Sequence, residues 1–292
     1  VFHTKGGRLV VKADIFIDAT GDAILAAMAG VPYENGGQDF AGLNMSTTMG
    51  TRWSGADLEA FEEVSDRYRR TQREKGRKGA NLIYDLESKA IAEGRLVRHI
   101  CSPSTGLLCI VLPGYRKKDA DFVTYAFHSY YCRNTDPEDI SRQILEQHRL
   151  MRDFQEFLRS DVSGFEHVRL VGTGSQPGVR DSRRVFGEYM LLSSDVAAGR
   201  KFDDGIARFP NMFDTHHPTD DSLIFIRHIH MNEQVDKGSG VIMQREEPAA
   251  MHPFFEPDGI QVRVNPKDWC DIPYRCLLPE GVDNLLTAGR CC

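Results

Sequence analysis

Two short turns, three arginines and four histidines hold most of the chemistry legible in this chain. Ile15, Phe16 and Ile17 form an apolar run that leads into Ala19, Thr20, Gly21 and Asp22, and then into the Ala-rich stretch Ala23 to Ala29, closed by Gly30. The run predicts a fully buried strand, and the small residues after it let a second backbone or a ligand come close. Asp22 suits a helix N-cap, with Ala23 to Ala29 as the helix. Strand, turn and capped helix together present backbone N–H groups and a helix dipole to the phosphate or ribityl chain of a cofactor. Near the other end, Asn284 to Thr287 runs in the same way into Ala288, Gly289 and Arg290. Two such turns can line one crevice at the carboxyl ends of neighbouring parallel strands.

Arg180, Arg183 and Arg184 follow a glycine-rich loop. Guanidinium groups bind carboxylates or phosphates bidentately and stay charged at any relevant pH, although Asp181, Glu188 and Asp195 are near enough in sequence to pair with them. His216 and His217, after Asp214 and before Pro218, could take a proton in acid–base chemistry or simply bond a loop backbone. His228 and His230 alternate and share one face of a strand. With the first two they could assemble a metal site, but no HExxH pattern or paired cysteines accompany them, and no metal is assigned. Tyr274 and Arg275, between Pro273 and Pro279, offer a hydrogen-bond donor and a cation close in chain order to the second turn. Gly172 to Gly178 reads GxGxxxG, one residue longer than a dinucleotide fingerprint and interrupted by Pro177.

The elements that must hold these residues follow from periodicity. Val1 to Val11 reads as a hairpin turning at Lys5-Gly6-Gly7. Leu43 to Trp53, Leu107 to Leu112, Phe122 to Tyr131 and Val168 to Val171 read as strands. Helices are expected over Ala56–Glu74 and Tyr84–Glu93, with a longer one starting at Asp136-Pro137 and burying Ile140, Ile144, Met151, Phe154 and Leu158.

IDATGD with its Ala-rich helix, GVRDSRRVFGEYMLLSSDV and DIPYRCLLPEGVDNLLTAGR, in that order, resemble the FAD-dependent oxidoreductases related to the glutathione-reductase and fumarate-reductase flavoproteins. The resemblance implies an α/β fold: a partial, Rossmann-like FAD-binding domain (residues 1–32 and 270–292) with an inserted mixed α+β substrate domain (residues 33–269). It implies FAD as cofactor, with Ala19, Thr20, Gly21 and Asp22 on one side and Ala288, Gly289 and Arg290 on the other. Gly178, Arg180, Arg183 and Arg184 match the family's GxRxxRR segment, which implies that Arg180 and Arg183 orient an anionic substrate or meet the flavin. His216 matches an Asp-x-His context and is the acid–base candidate; Arg184, His217, Tyr274 and Arg275 serve the substrate or the domain junction. The resemblance implies that the family's phosphate-binding fingerprint lies upstream of Val1, so the chain reads as a fragment, and an inactive fragment is one alternative reading. A nicotinamide-only dehydrogenase built on Gly172–Gly178 and a metal-assisted hydrolase built on the histidines are the alternatives.

The chain has 292 residues, 41% of them hydrophobic and 27% charged, with a net charge of −6. That length buries a sizeable core, and the acidic balance argues against a broad nucleic-acid surface. No apolar run approaches the roughly 18–20 residues of a membrane span. Seven cysteines without a CxxC fit a reducing cytoplasm better than a disulfide scaffold. The partner expected is a small-molecule substrate; oligomeric state is not legible.

Overall fold

The structure is a computed structural model that describes residues 2–36, 41–77, 79–101, 109–111, 117–192, 195–196, 199–209, 214–216, 218–219, 223–225 and 269–292. In chain order the elements are β1 (Phe2–Thr4), β2 (Gly7–Leu9), β3 (Phe16–Asp18), α1 (Ile24–Met28), β4 (Tyr33–Asn35), β5 (Thr47–Ala56), α2 (Leu58–Glu74), α3 (Leu82–Ala92), β6 (Cys109–Val111) and β7 (Ala120–Ser129). Then come α4 (Pro137–Asp161), β8 (Arg169–Thr173), β9 (Arg183–Val185), β10 (Gly205–Phe209), β11 (Asp214–His216), β12 (Leu223–Phe225), β13 (Cys270–Pro273) and β14 (Leu285–Thr287). Helices and small sheets occur together, a mixed α/β content.

The chain divides into two compact units: Val1–Met45, Asp181–His217 and Ser222–Cys292 make the first, and Ser46–Arg180 with Pro218–Asp221 the second. The division falls at Met45/Ser46 and Arg180/Asp181, whereas the sequence reading sets its boundaries at 32/33 and 269/270.

The second unit is built on an antiparallel sheet ordered β6-β7-β5-β8. Thr47 pairs with Ser129, Thr48 with His128 and Trp53 with Phe122 across β5 and β7. Trp53 is fully buried among Phe122, Phe127 and Phe154, its ring centroid 6.1–6.3 Å from each of theirs. The expected apolar face of α4 lies in this core through Met151, Phe154 and Leu158, joined by Leu150 and Phe157. Asp136 starts that helix as expected, its carboxylate accepting from the N–H groups of Glu138 and Asp139 ahead of Pro137 at N1. Asp57 and Asn81 cap α2 and α3 in the same way. Between α4 and β8, Gly164 has φ +90, and a side chain there would run into the backbone of Asp57, whose N–H bonds the Gly164 carbonyl at 2.6 Å.

In the first unit β3 and β14 pair in parallel, Phe16 with Leu285, Ile17 with Leu286 and Asp18 with Thr287. A small core of Ala23, Ala26, Val31, Val185, Leu285 and Cys291 packs beside them. β4 pairs with β9, and β10 with β13.

Three local expectations are corrected here. Ile15 and Ile17 are 61% and 64% exposed, because β3 has one partner strand among the described residues and only its Asp18 side is enclosed. The hairpin pairs Thr4 with Gly7, so the turn is Lys5-Gly6 and Gly7 already belongs to β2. The helix after β3 is only five residues long, and its N-cap position is Ala23, in the left-handed region, rather than Asp22. Asp22 is taken by other partners, described below.

Candidate functional site

Asp18 ends β3 and is 1% exposed. One of its carboxylate oxygens accepts from the Thr20 N–H (3.1 Å) and the Thr20 hydroxyl (2.7 Å), and the other from the Ala26 N–H (2.8 Å). The Thr20 hydroxyl oxygen in turn accepts from the Ile24 N–H at 3.0 Å. Burial by itself would raise the Asp18 pKa, but these hydrogen bonds outweigh it and hold the carboxyl below its usual value. The start of α1 is thus satisfied from inside the chain. Its amides do not face outward to a phosphate, which corrects that part of the sequence reading. Asp18 was overlooked there; the signal for it was an acidic residue closing an apolar strand two positions before a threonine.

The layer above is formed by both turns. The Ala288 N–H donates to the Asp18 carbonyl at 2.9 Å, so the β14 turn is bonded to the end of β3. Gly21 and Gly289 both have positive φ, +75 and +108. They face each other so closely that a Cβ on Gly289 would lie 3.8 Å from the Gly21 Cα. A Cβ on Gly21 would come within 2.6 Å of the Arg290 guanidinium. Arg290 is held there by Asp22, Nη2 to Oδ1 at 2.6 Å, and the same Oδ1 accepts the Ser182 hydroxyl at 2.6 Å. Arg183 donates from Nη1 to the Asp22 carbonyl at 2.9 Å, with its guanidinium carbon 5.3 Å from the Tyr33 ring centroid. Among the described residues of this unit, Arg183 Nε and Thr287 Oγ1 are buried without a hydrogen-bond partner. All seven residues expected at the cofactor, from Ala19 to Asp22 and from Ala288 to Arg290, therefore lie on two adjoining turns, with Arg183 joined to them.

Other candidates lie elsewhere. Arg184 binds Glu34 at 2.7 Å and the Gly36 carbonyl at 2.6 Å, tying β9 to the end of β4. Next to it Asp181 accepts from the Asn44 side chain and the Met45 N–H, and burial raises its pKa against those bonds. Arg275 pairs with Asp204 at 2.9 Å and lies over Tyr189, within the first unit, while Tyr274 is 41% exposed. Arg180 is the last residue of the first segment of the second unit. His216 ends β11; of its side chain nothing is described, and His217, His228 and His230 lie outside the described residues. Gly172 and Gly174 sit at the end of β8 and after it, and Gly178 bridges to Thr48 in an antiparallel sheet, not at the strand-to-helix turn a dinucleotide fingerprint requires. Cys101, Cys132, Cys270, Cys276, Cys291 and Cys292 are free thiols; Cys291 is buried and Cys292 exposed.

Among the described residues no helix is long and apolar enough to cross a membrane. No curated protein and no solved structure matches the chain. The family model described as FAD dependent oxidoreductase matches residues 1–292, the whole length, and the chain belongs to that FAD-binding family of oxidoreductases.

Proposed function

We propose that the chain takes part in two-electron oxidation or reduction of a small organic molecule, with the flavin held at the Gly21 and Gly289 turns. FAD supplies the redox step, accepting or releasing hydride. The observation that carries the reading is the juxtaposition of two positive-φ glycines at the carboxyl ends of the parallel strands β3 and β14. The missing side chains let the two turns approach each other and leave room for the Arg290 guanidinium over Gly21, so that an extended ligand crossing them would meet backbone and guanidinium together. The groups around it suit the polyol and ring portions of FAD: Asp22 accepts from hydroxyls, and Arg290 donates to carbonyl oxygens or anions. Ala19, Thr20 and Ala288 shape the walls. Asp18 holds the turn rather than the ligand. Arg183, anchored by its bond to Asp22, orients from the cofactor side, and Arg180 is assigned to the substrate's anionic end. His216 is the acid–base candidate of the Asp-x-His segment. Val1–Met45, with the segments that complete its unit, acts as the cofactor unit, and Ser46–Arg180 as the substrate unit.

The test is the visible absorption of protein made from its complete reading frame. Flavin bands bleached by a reductant are expected. A folded, colourless protein that FAD cannot reconstitute would sink the reading. Gly21→Val should weaken FAD retention by about tenfold or more, since it imposes left-handed strain of about 1–2 kcal/mol and displaces Arg290. Gly172→Ala, at a position with no neighbour within 4 Å of the new methyl, should leave retention unchanged.

A further inference from the structure

Helix α4 turns one side to the core of the second unit and exposes the other. Along that outer side Glu138, Ser141, Arg142, Leu145, Glu146 and Arg149 line a groove of about 520 Å³. Their spacing of three and four residues keeps them on one face. Leu145, 60% exposed, is the apolar side chain among them. The two ends of the row carry opposite charges, Glu138 and Arg149, and neither forms an ion pair among the described residues. Between them Arg142 pairs with Glu146 at 3.2 Å and with Asp139 at 2.6 Å. Arg152, three residues beyond Arg149, is taken by Asp153 at 2.8 Å. Beside the groove the Arg142 guanidinium donates to the carbonyls of Tyr130 and Tyr131 at 3.2 and 3.3 Å. Tyr131 is itself 60% exposed and has φ +56, a left-handed conformation uncommon for a bulky side chain. Its N–H donates to the Pro218 carbonyl at 2.7 Å, so the strained residue is fixed in place within the second unit.

We propose that this face of α4 is an interface with a second copy of the chain, the two helices packing antiparallel about a two-fold axis. Charge selects that partner. A register that sets Glu138 opposite the partner's Arg149 also sets Arg149 opposite the partner's Glu138, so one favourable contact is made twice. The same register sets Ser141 opposite the partner's Glu146, hydroxyl to carboxylate. It sets Leu145 opposite the partner's Arg142, whose aliphatic stem covers the leucine while its charged head stays on Asp139 and the two carbonyls. A parallel pairing would instead set like charges together at both ends. Sliding the register to Arg152 would meet a cation already paired with Asp153. Tyr131 widens the contact at the edge of the groove, and tyrosine and arginine are residue types that carry much of the energy in such interfaces. One helix face lies at the small end of protein interfaces, so the dimer is a weak one. The flavin reading plays no part in this inference.

Sedimentation equilibrium of the protein made from its complete reading frame is the test. The parent should show concentration-dependent self-association at about 100 μM, as suits a small interface. Added salt should weaken it, because the end pairs are exposed. Glu138→Arg or Arg149→Glu alone should weaken association by about tenfold or more, since two symmetry-related pairs turn repulsive at once. An equal mixture of those two variants should associate as the parent does, and so should a chain that carries both substitutions. Recovery in the mixture also shows that each single variant is folded. Leu145→Asp should abolish association. The inference is overturned if the parent does not associate, which would give the face to a different partner. It is equally overturned if the single reversals associate as the parent does, or if neither the mixture nor the doubly substituted chain recovers.

Discussion

At the scale of single residues, two ionisable side chains set the behaviour of this protein. Asp18 is an internal anion that takes the place an external phosphate was expected to occupy, because its three donors sit within eight residues of it. Asp18→Asn puts an amide NH2 against at least one of those donors, and the cost should be about 1–3 kcal/mol in urea denaturation. His128 gives a pH signature of the opposite kind from a paired cation. Its folded pKa, about 4, lies below the unfolded value of 6.5. The unfolded chain therefore binds a proton first as the pH drops. The stabilisation is full above pH 6.5 and is lost down to about pH 4, an effect on the order of 3 kcal/mol at most. Unfolding measured from pH 7 to pH 4 should show that slope in the parent and a shallower one in His128→Gln.

At the scale of elements, the caps and the sheet register position the sites. Asp136 satisfies two amides at the start of a helix of 25 residues that covers β5 and β7. Asp136→Ala should lower stability by about 1 kcal/mol without altering flavin retention. The β5–β7 register decides which side chains meet His128, since it sets Thr48 opposite it and brings Ser46 alongside. On the cofactor side, the parallel pairing of β3 and β14 brings Gly21 and Gly289 together from positions 268 residues apart in the chain.

At the scale of the molecule, the two tryptophans report on different units. Trp53 lies at the centre of the second unit and Trp269 belongs to the first. In a Trp269→Phe background, fluorescence follows the second unit alone. Phe154→Ala, which empties volume beside Trp53, should cost that transition about 3–5 kcal/mol. Circular dichroism should show the remaining structure melting at an unchanged denaturant concentration if the units unfold independently.

Local chemistry made part of this legible from the sequence alone. Asp136-Pro137 and the spacing of Met151, Phe154 and Leu158 announce α4, because capping and helical periodicity act over a few residues and need no distant partner. The two small-residue turns announce themselves through backbone freedom, and the family match over the whole chain agrees with the motifs that contain them. The exposure of Ile15 and Ile17, the capture of Asp22 by Arg290 and Ser182, and the sharing of Thr48 between His128 and Gly178 could not be read in that way. Each depends on which strand lies beside which, and on a partner dozens to hundreds of residues away. Residue type and spacing determined the elements and the kind of chemistry; only the tertiary pairing decided which donors Asp18 keeps for itself and which side chains stand beside His128.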